Sequence, residues 1–290
     1  MSLFTGAGVA IVTPFDENDD INFGVLEELI EFQIENKIDA IIACGTTGES
    51  VTMSEKEHIS VVKFTVDKVS GRIPVIAGTG SNNTKHAIEL SRESEKVGAN
   101  GLLVVTPYYN KTSQKGLIEH YTAIANSVSI PIIMYNVPSR TSLNMLPKTI
   151  YELSKVNNII GLKECCGNMG QIAEIIDLCG ENFDVYSGND DEILPILSLG
   201  GKGVISTIAN IIPNEIHDIV ESYMDGNIKK SRELQLKYLK LIKAIFLEVN
   251  PIPIKAALNM IGYNVGKGRL PLTTMTEENL KLLQAEVTKI

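Results

Sequence analysis

The segment PVIAGTG (residues 74–80), the stretch 84–97 and the segment GLLVVTPYY (101–109) decide how this 290-residue chain folds. The two quoted runs are short, apolar and rich in β-branched residues, and Gly, Pro, Thr or Tyr close them, as in strands. Between them, apolar residues recur three and four positions apart, as on an amphipathic helix. Near-continuous apolar strands joined by such a helix imply a parallel sheet covered on its outer face.

The same unit repeats in both directions. Upstream lie GVAIVTPF (8–15) and AIIACGTTG (40–48); downstream lie PIIMYNVP (131–138), IIGLKECCG (159–167), FDVYSGND (183–190) and GKGVISTIAN (201–210). Helical spacing fills 23–36, 55–69, 116–127 and 146–155. Eight strands alternating with helices predict an α/β fold closed into a (β/α)8 TIM barrel. A doubly wound open sheet is the alternative. No G-x-G-x-x-G opens a first helix, however, and polar residues gather at the ends of nearly every strand rather than at one crevice. After the eighth run, 213–224 reads as a helix and 227–290 as helical, with breaks at 250–253 and 262–271. The expected organisation is a catalytic barrel over 1–225 and a C-terminal helical domain over 226–290.

Composition narrows the function. With 44% hydrophobic and 21% charged residues the chain is an ordinary globular protein. Its 35 acidic against 26 basic side chains give a net charge of −9, which argues against nucleic acid as a partner. No run of about 18 apolar residues and no signal-type N-terminus points to a membrane. Cys44, Cys165, Cys166 and Cys179 form no C-x-x-C pair, so a reducing cytoplasm is the expected compartment. His58, His86, His120 and His217 show neither H-x-H nor H-E-x-x-H spacing and no accompanying carboxylate cluster, so no catalytic metal is expected.

Four strand ends carry chemistry. In GTTGES (45–50) two glycines allow a tight turn, and hydroxyls and backbone N–H groups converge on a possible anion site; taken alone it reads equally as a turn whose hydroxyl caps the next helix. Lys163 ends an otherwise apolar strand. Burial would lower its pKa and free an amine able to form a Schiff base; the alternatives are pairing with Glu164, which strand parity turns the other way, or reaching to the rim. Tyr135 shares parity with Ile133 and should face into the barrel, where a phenol beside an amine shuttles protons. Arg140, beyond Pro138, offers a fork for a carboxylate. Alone, these two read as a core tyrosine and a surface arginine. In TPYYN (106–110), Tyr108 and Tyr109 suit packing or a subunit interface. Cys165 and Cys166 read as inert small hydrophobes.

GTTGES, TPYYN, YNVPSRT (135–141) and GLKE (161–164), in this order at the ends of strands two, four, five and six, resemble the dihydrodipicolinate synthase family. GRIPVIAGTG (71–80), GVIS (203–206) and NPIPIK (250–255) extend the likeness across nearly the whole chain. Single motifs would indicate only the wider pyruvate-dependent aldolases, such as N-acetylneuraminate lyase; the arginine of YNVPSR narrows the match. The resemblance implies a lyase that condenses pyruvate with L-aspartate 4-semialdehyde to 4-hydroxy-tetrahydrodipicolinate without a metal or organic cofactor. It implies that Lys163 forms the Schiff base, that Tyr135 is the general acid/base, and that Thr46 and Tyr109 complete a hydroxyl relay, Tyr109 entering the neighbouring subunit of a homotetramer built as a dimer of dimers. Thr47, with backbone groups there, would hold the pyruvate carboxylate and Arg140 that of the semialdehyde, with Gly188 and Ile205 lining the pocket by backbone contacts. The family's lysine effector site corresponds to Ser50, Glu55, His58, Asn82, His86 and Tyr108. There the resemblance breaks: His86 stands at the usual acidic position and Glu55 at a usual histidine position, so weak lysine feedback is expected.

Overall fold

The computed structural model describes residues 2–290. Eight parallel strands close into one barrel in chain order. They are β1 (Gly6–Ala10), β2 (Ala40–Ala43), β3 (Val75–Gly78), β4 (Gly101–Val105), β5 (Ile132–Asn136), β6 (Ile159–Glu164), β7 (Asp184–Ser187) and β8 (Gly203–Ser206). Between and after them lie α1 (Phe23–Glu35), α2 (Glu55–Val69), α3 (Thr84–Lys96), α4 (Gln114–Ala125), α5 (Pro138–Thr141), α6 (Pro147–Ser154), α7 (Met169–Cys179), α8 (Ile193–Ser198) and α9 (Pro213–Met224). Four more helices follow: α10 (Ile228–Lys237), α11 (Leu239–Ala244), α12 (Ile252–Met260) and α13 (Glu277–Val287). The fold is the expected TIM barrel with a C-terminal helical extension. No helix among the described residues is long and apolar enough to cross a membrane.

Strand parity divides the core in two. Ile132 and Met134 of β5 join the large cluster under the helices, whereas Ile133 and Tyr135 join an inner cluster with Ala10, Ile42, Ile76, Leu103, Tyr186 and Ile205. Alternate side chains of a barrel strand face inward, so the β5 pattern also orients β6, where Tyr135 pairs with Lys163. At the end where the strands begin, Phe4 stacks on Tyr186 with ring centroids 4.5 Å apart, and the Tyr186 hydroxyl donates to the Phe4 carbonyl at 2.6 Å. This stack closes the barrel floor.

Some expected boundaries move. The run 8–15 holds a ladder only over Gly6–Ala10, because the chain beyond is taken up by tertiary partners: the Val12 amide donates to Asn210 Oδ1 and the Phe15 amide to the Val265 carbonyl. The run 201–210 likewise holds strand only over Gly203–Ser206. The break expected at 250–253 instead spans 245–251, and Pro253 sits in the first turn of α12, where no amide hydrogen is needed. The four-residue α5, which carries Arg140, was not foreseen; Pro138 starts it.

The seam between β8 and β1 is the tightest point of the closure. Gly203 (φ 151°) lies opposite Gly6, and a Cβ there would run into the Gly6 backbone. Gly203→Ala should therefore destabilise by about 1–3 kcal/mol or more, read as a lower urea midpoint at unchanged m-value. A midpoint equal to wild type would mean that the seam tolerates the methyl.

Candidate active site

The site starts from an amine with almost no water. Lys163 comes from the end of β6, is 6% exposed, and holds Nζ 4.6 Å from the Tyr135 ring centroid. Burial lowers its pKa below the ordinary lysine value, with the Arg140 guanidinium adding to the shift and Cys165 and Asp190 opposing it. Glu164, the next residue, points outward as parity requires; its carboxylate accepts from Asn136 Nδ2 at 3.0 Å and from the Cys166 amide at 2.8 Å. The amine is therefore not neutralised by its neighbour.

Tyr135 is also 6% exposed. Burial and then Cys165 push its phenol well above the usual tyrosine value, while the Arg140 guanidinium and the Thr46 hydroxyl pull the other way. The phenol thus stays protonated and can lend its proton. Gly188 makes the lysine's position possible: a Cβ there would lie 2.8 Å from Lys163 Cε and against the Cys165 sulfur. Burial raises both neighbouring thiols, Cys165 and Cys166, to about 12, so they are inert as nucleophiles at neutral pH.

A cavity of about 200 Å³ brings together Thr46, Thr47, Tyr135, Arg140, Lys163 and Gly188. An adjoining one of about 220 Å³ shares Thr46, Tyr135 and Arg140 and opens toward Tyr108. Arg140 is exposed at the rim, where its Nη2 donates to the Asn250 carbonyl at 3.1 Å. Thr47 is buried, and its Oγ1 accepts from Asn250 Nδ2 at 2.9 Å. One hydroxyl-rich turn and one guanidinium therefore face a common space from opposite strands.

The Ile205 side chain is fully buried in the inner cluster, where Ala10 also sits, and Ala10 and Thr207 line the wall of the cavity. Tyr109 is 92% exposed, with φ 70°, and lines neither cavity. Residues that sequence reading had not singled out are Asn250, Phe246, Asn189 and Thr207. Asn250 opens the NPIPIK motif, but nothing local shows that it folds back over the site.

A separate cavity of about 330 Å³ is lined by Ser50, Glu55, His58, His86 and Tyr108, and not by Asn82, whose carbonyl instead accepts from Asn110 Nδ2. Here Glu55 and His86 face each other at 3.1 Å, so the exchanged acid and base meet across the cavity. Burial holds His58 down at about 4, neutral at physiological pH. The histidines are not free of carboxylates, contrary to expectation: Glu55 and Glu89 surround His86, and Asp218 and Glu221 accompany His217. His86–Glu89 and His217–Asp218–Glu221 are neighbours on single helices, a spacing the sequence does carry, and only Glu55 joins from an adjoining helix. Neither lines the cavity of Lys163.

Residues 3–290 match the model of the dihydrodipicolinate synthetase family. The 4-hydroxy-tetrahydrodipicolinate synthase of Caldicellulosiruptor bescii is 61% identical over 284 residues, 98% of this chain and 96% of that one. That of Acetivibrio thermocellus is 59% identical over 282 residues, 97% and 96% of the two chains. The crystal structure of dihydrodipicolinate synthase from Aquifex aeolicus superposes with a TM-score of 0.97 at 44% identity, covering 99% of this chain and 98% of that one. Sequence and barrel agree, and the chain belongs to the dihydrodipicolinate synthetase family.

Proposed function

We infer that the chain is a Schiff-base lyase that condenses pyruvate with L-aspartate 4-semialdehyde to 4-hydroxy-tetrahydrodipicolinate, the first committed step toward diaminopimelate and lysine. The observation that carries the chemistry is the dehydrated Lys163 amine beside a protonated phenol. The neutral amine adds to the C2 carbonyl of pyruvate, and the Tyr135 proton helps the resulting hydroxyl leave as water. The iminium draws electrons from the methyl carbon, so transfer of a C3 proton to the Tyr135 phenolate left by that donation gives an enamine. Its C3 attacks the aldehyde carbon of the semialdehyde, forming the new C–C bond.

Both reactants are anions, and the protein is acidic. Local donors therefore do the recognising: Thr47 and the backbone amides of its turn take the pyruvate carboxylate, and the Arg140 fork takes that of the semialdehyde. Thr46 links Tyr135 to the relay, and Gly188 leaves room for the lysine. The exposure of Tyr109 on its turned loop supports a role in a second protomer, within a homotetramer arranged as a dimer of dimers. Unpaired cysteines accord with a cytoplasmic location.

The effector cavity supports weak lysine feedback. Its one carboxylate, Glu55, has moved to the other side and is already engaged by His86. Loss of a charge-assisted contact costs about 1.5–3 kcal/mol, or roughly one to two decades of affinity.

Borohydride reduction in the presence of pyruvate should leave a pyruvate-derived adduct on Lys163, found by mass spectrometry; wild-type protein without that adduct would remove the mechanism. Lys163→Ala should stay folded and lose almost all activity. Trapping at limiting pyruvate should rise with pH through a midpoint below 10.5, since protonation abolishes the nucleophile and burial lowers the pH at which it returns. A midpoint at the free-lysine value would contradict the dehydrated amine. Gly188→Ala should cut turnover by at least about two decades, by displacing Lys163 from its attack geometry; near-normal turnover would show that the lysine has room to spare. Purified enzyme should keep most of its activity in millimolar lysine, and half-inhibition below that concentration would refute the feedback reading.

A further inference from the structure

The C-terminal extension grips the strand-two turn through a buried ion pair. Glu49, the residue after the second glycine of GTTGES, has a fully buried carboxylate whose Oε1 accepts from Lys255 Nζ at 2.6 Å and whose Oε2 accepts from the Arg269 amide at 2.9 Å. Lys255, in α12, is 2% exposed; its ammonium also donates to the Lys267 carbonyl at 3.0 Å and lies 4.4 Å from the Phe15 ring centroid. The Glu49 backbone is left-handed (φ 56°), and its amide donates to the Thr46 carbonyl at 3.1 Å. The residue that closes the turn of Thr46 and Thr47 is therefore the one the lysine holds. From the start of the same helix, Asn250 ties Thr47 with its side chain and Arg140 with its carbonyl.

Neither Glu49 nor Lys255 lines the cavity of Lys163. A buried ion pair is a poor source of stability, since apolar residues of similar volume do as well; its distinctive effect is to allow one arrangement and penalise others. We propose that Lys255, acting through Glu49, is a positioning residue for pyruvate: it holds the Thr46–Thr47 turn in the geometry that the pyruvate carboxylate requires. This rests on the pyruvate reading above. Lys163 is carried by β6 and does not depend on the turn, so loosening the turn weakens pyruvate binding while the nucleophile remains in place.

The test uses the full-length Glu49→Gln/Lys255→Met double variant, which removes both charges and leaves neither unpaired, with Lys255→Met and Lys255→Arg alongside. Steady-state kinetics, thermal melting and the pyruvate dependence of borohydride trapping are measured on each. The double variant should melt cooperatively, need about tenfold or more pyruvate for half-saturation in both assays, and keep kcat within about threefold. Lys255→Arg, which retains a cation against Glu49, should recover part of the lost affinity. A folded double variant with wild-type half-saturation, a defect in kcat alone, or a double variant that does not fold would each overturn the positioning role. Wild-type protein that traps no adduct would instead overturn the underlying reaction.

Discussion

An ammonium ion in water is a poor nucleophile, and the burial of Lys163 works against that charged form. The inner layer of the barrel supplies a wall of Ile, Leu, Ala and Val side chains, and among the described residues no ion pair engages the buried amine at the end of β6. Glu164 would have quenched it, but strand parity sends that side chain to the helix layer, where Asn136 and the Cys166 amide satisfy it. The constraint reaches outward: Gly188 has no side chain because the lysine occupies that space, and the adjacent thiols are so strongly desolvated that they do not compete as nucleophiles.

Recognition obeys the opposite rule. The groups suited to the two carboxylates stand on a turn and at a rim, which have less intrinsic order than a barrel strand. They are braced from outside the barrel, by Asn250 and by the Glu49–Lys255 pair. Breaking one partner out of such a pair typically costs about 3–5 kcal/mol, which makes it a firm clamp. The helical extension is thereby part of the mouth of the barrel.

Much of this was legible in the sequence. The eight strand runs stood out because buried parallel strands are continuous and apolar, and the parity of Ile133, Tyr135, Lys163 and Glu164 was readable one residue at a time. Lys163, Tyr135 and the turn of Thr46 and Thr47 stood at strand ends, Arg140 on the loop that follows one, and Gly188 came from the family resemblance; all six line one cavity. Local pattern failed where partners are distant. Lys255 and Glu49 are 206 residues apart and Thr47 and Asn250 are 203 apart, so neither contact has a spacing to recognise. The early end of β1 has the same cause, since Val265 and Asn210 capture the chain that looked like strand. Asn82 marks a different limit: a motif names a residue but does not say which cavity it lines.

The stacked rings of Phe4 and Tyr186 fill the inner layer of the barrel from the end where the strands begin. In the proposed reaction, pyruvate, the water lost from the imine and the semialdehyde then share the mouth that Arg140 flanks. Pyruvate has to react with Lys163 before the aldehyde is attacked, so a semialdehyde seated early beside Arg140 would stand in the way of the first reactant. Crowding at a shared entrance and the reactivity of the enamine favour the same order, keto acid first and aldehyde second.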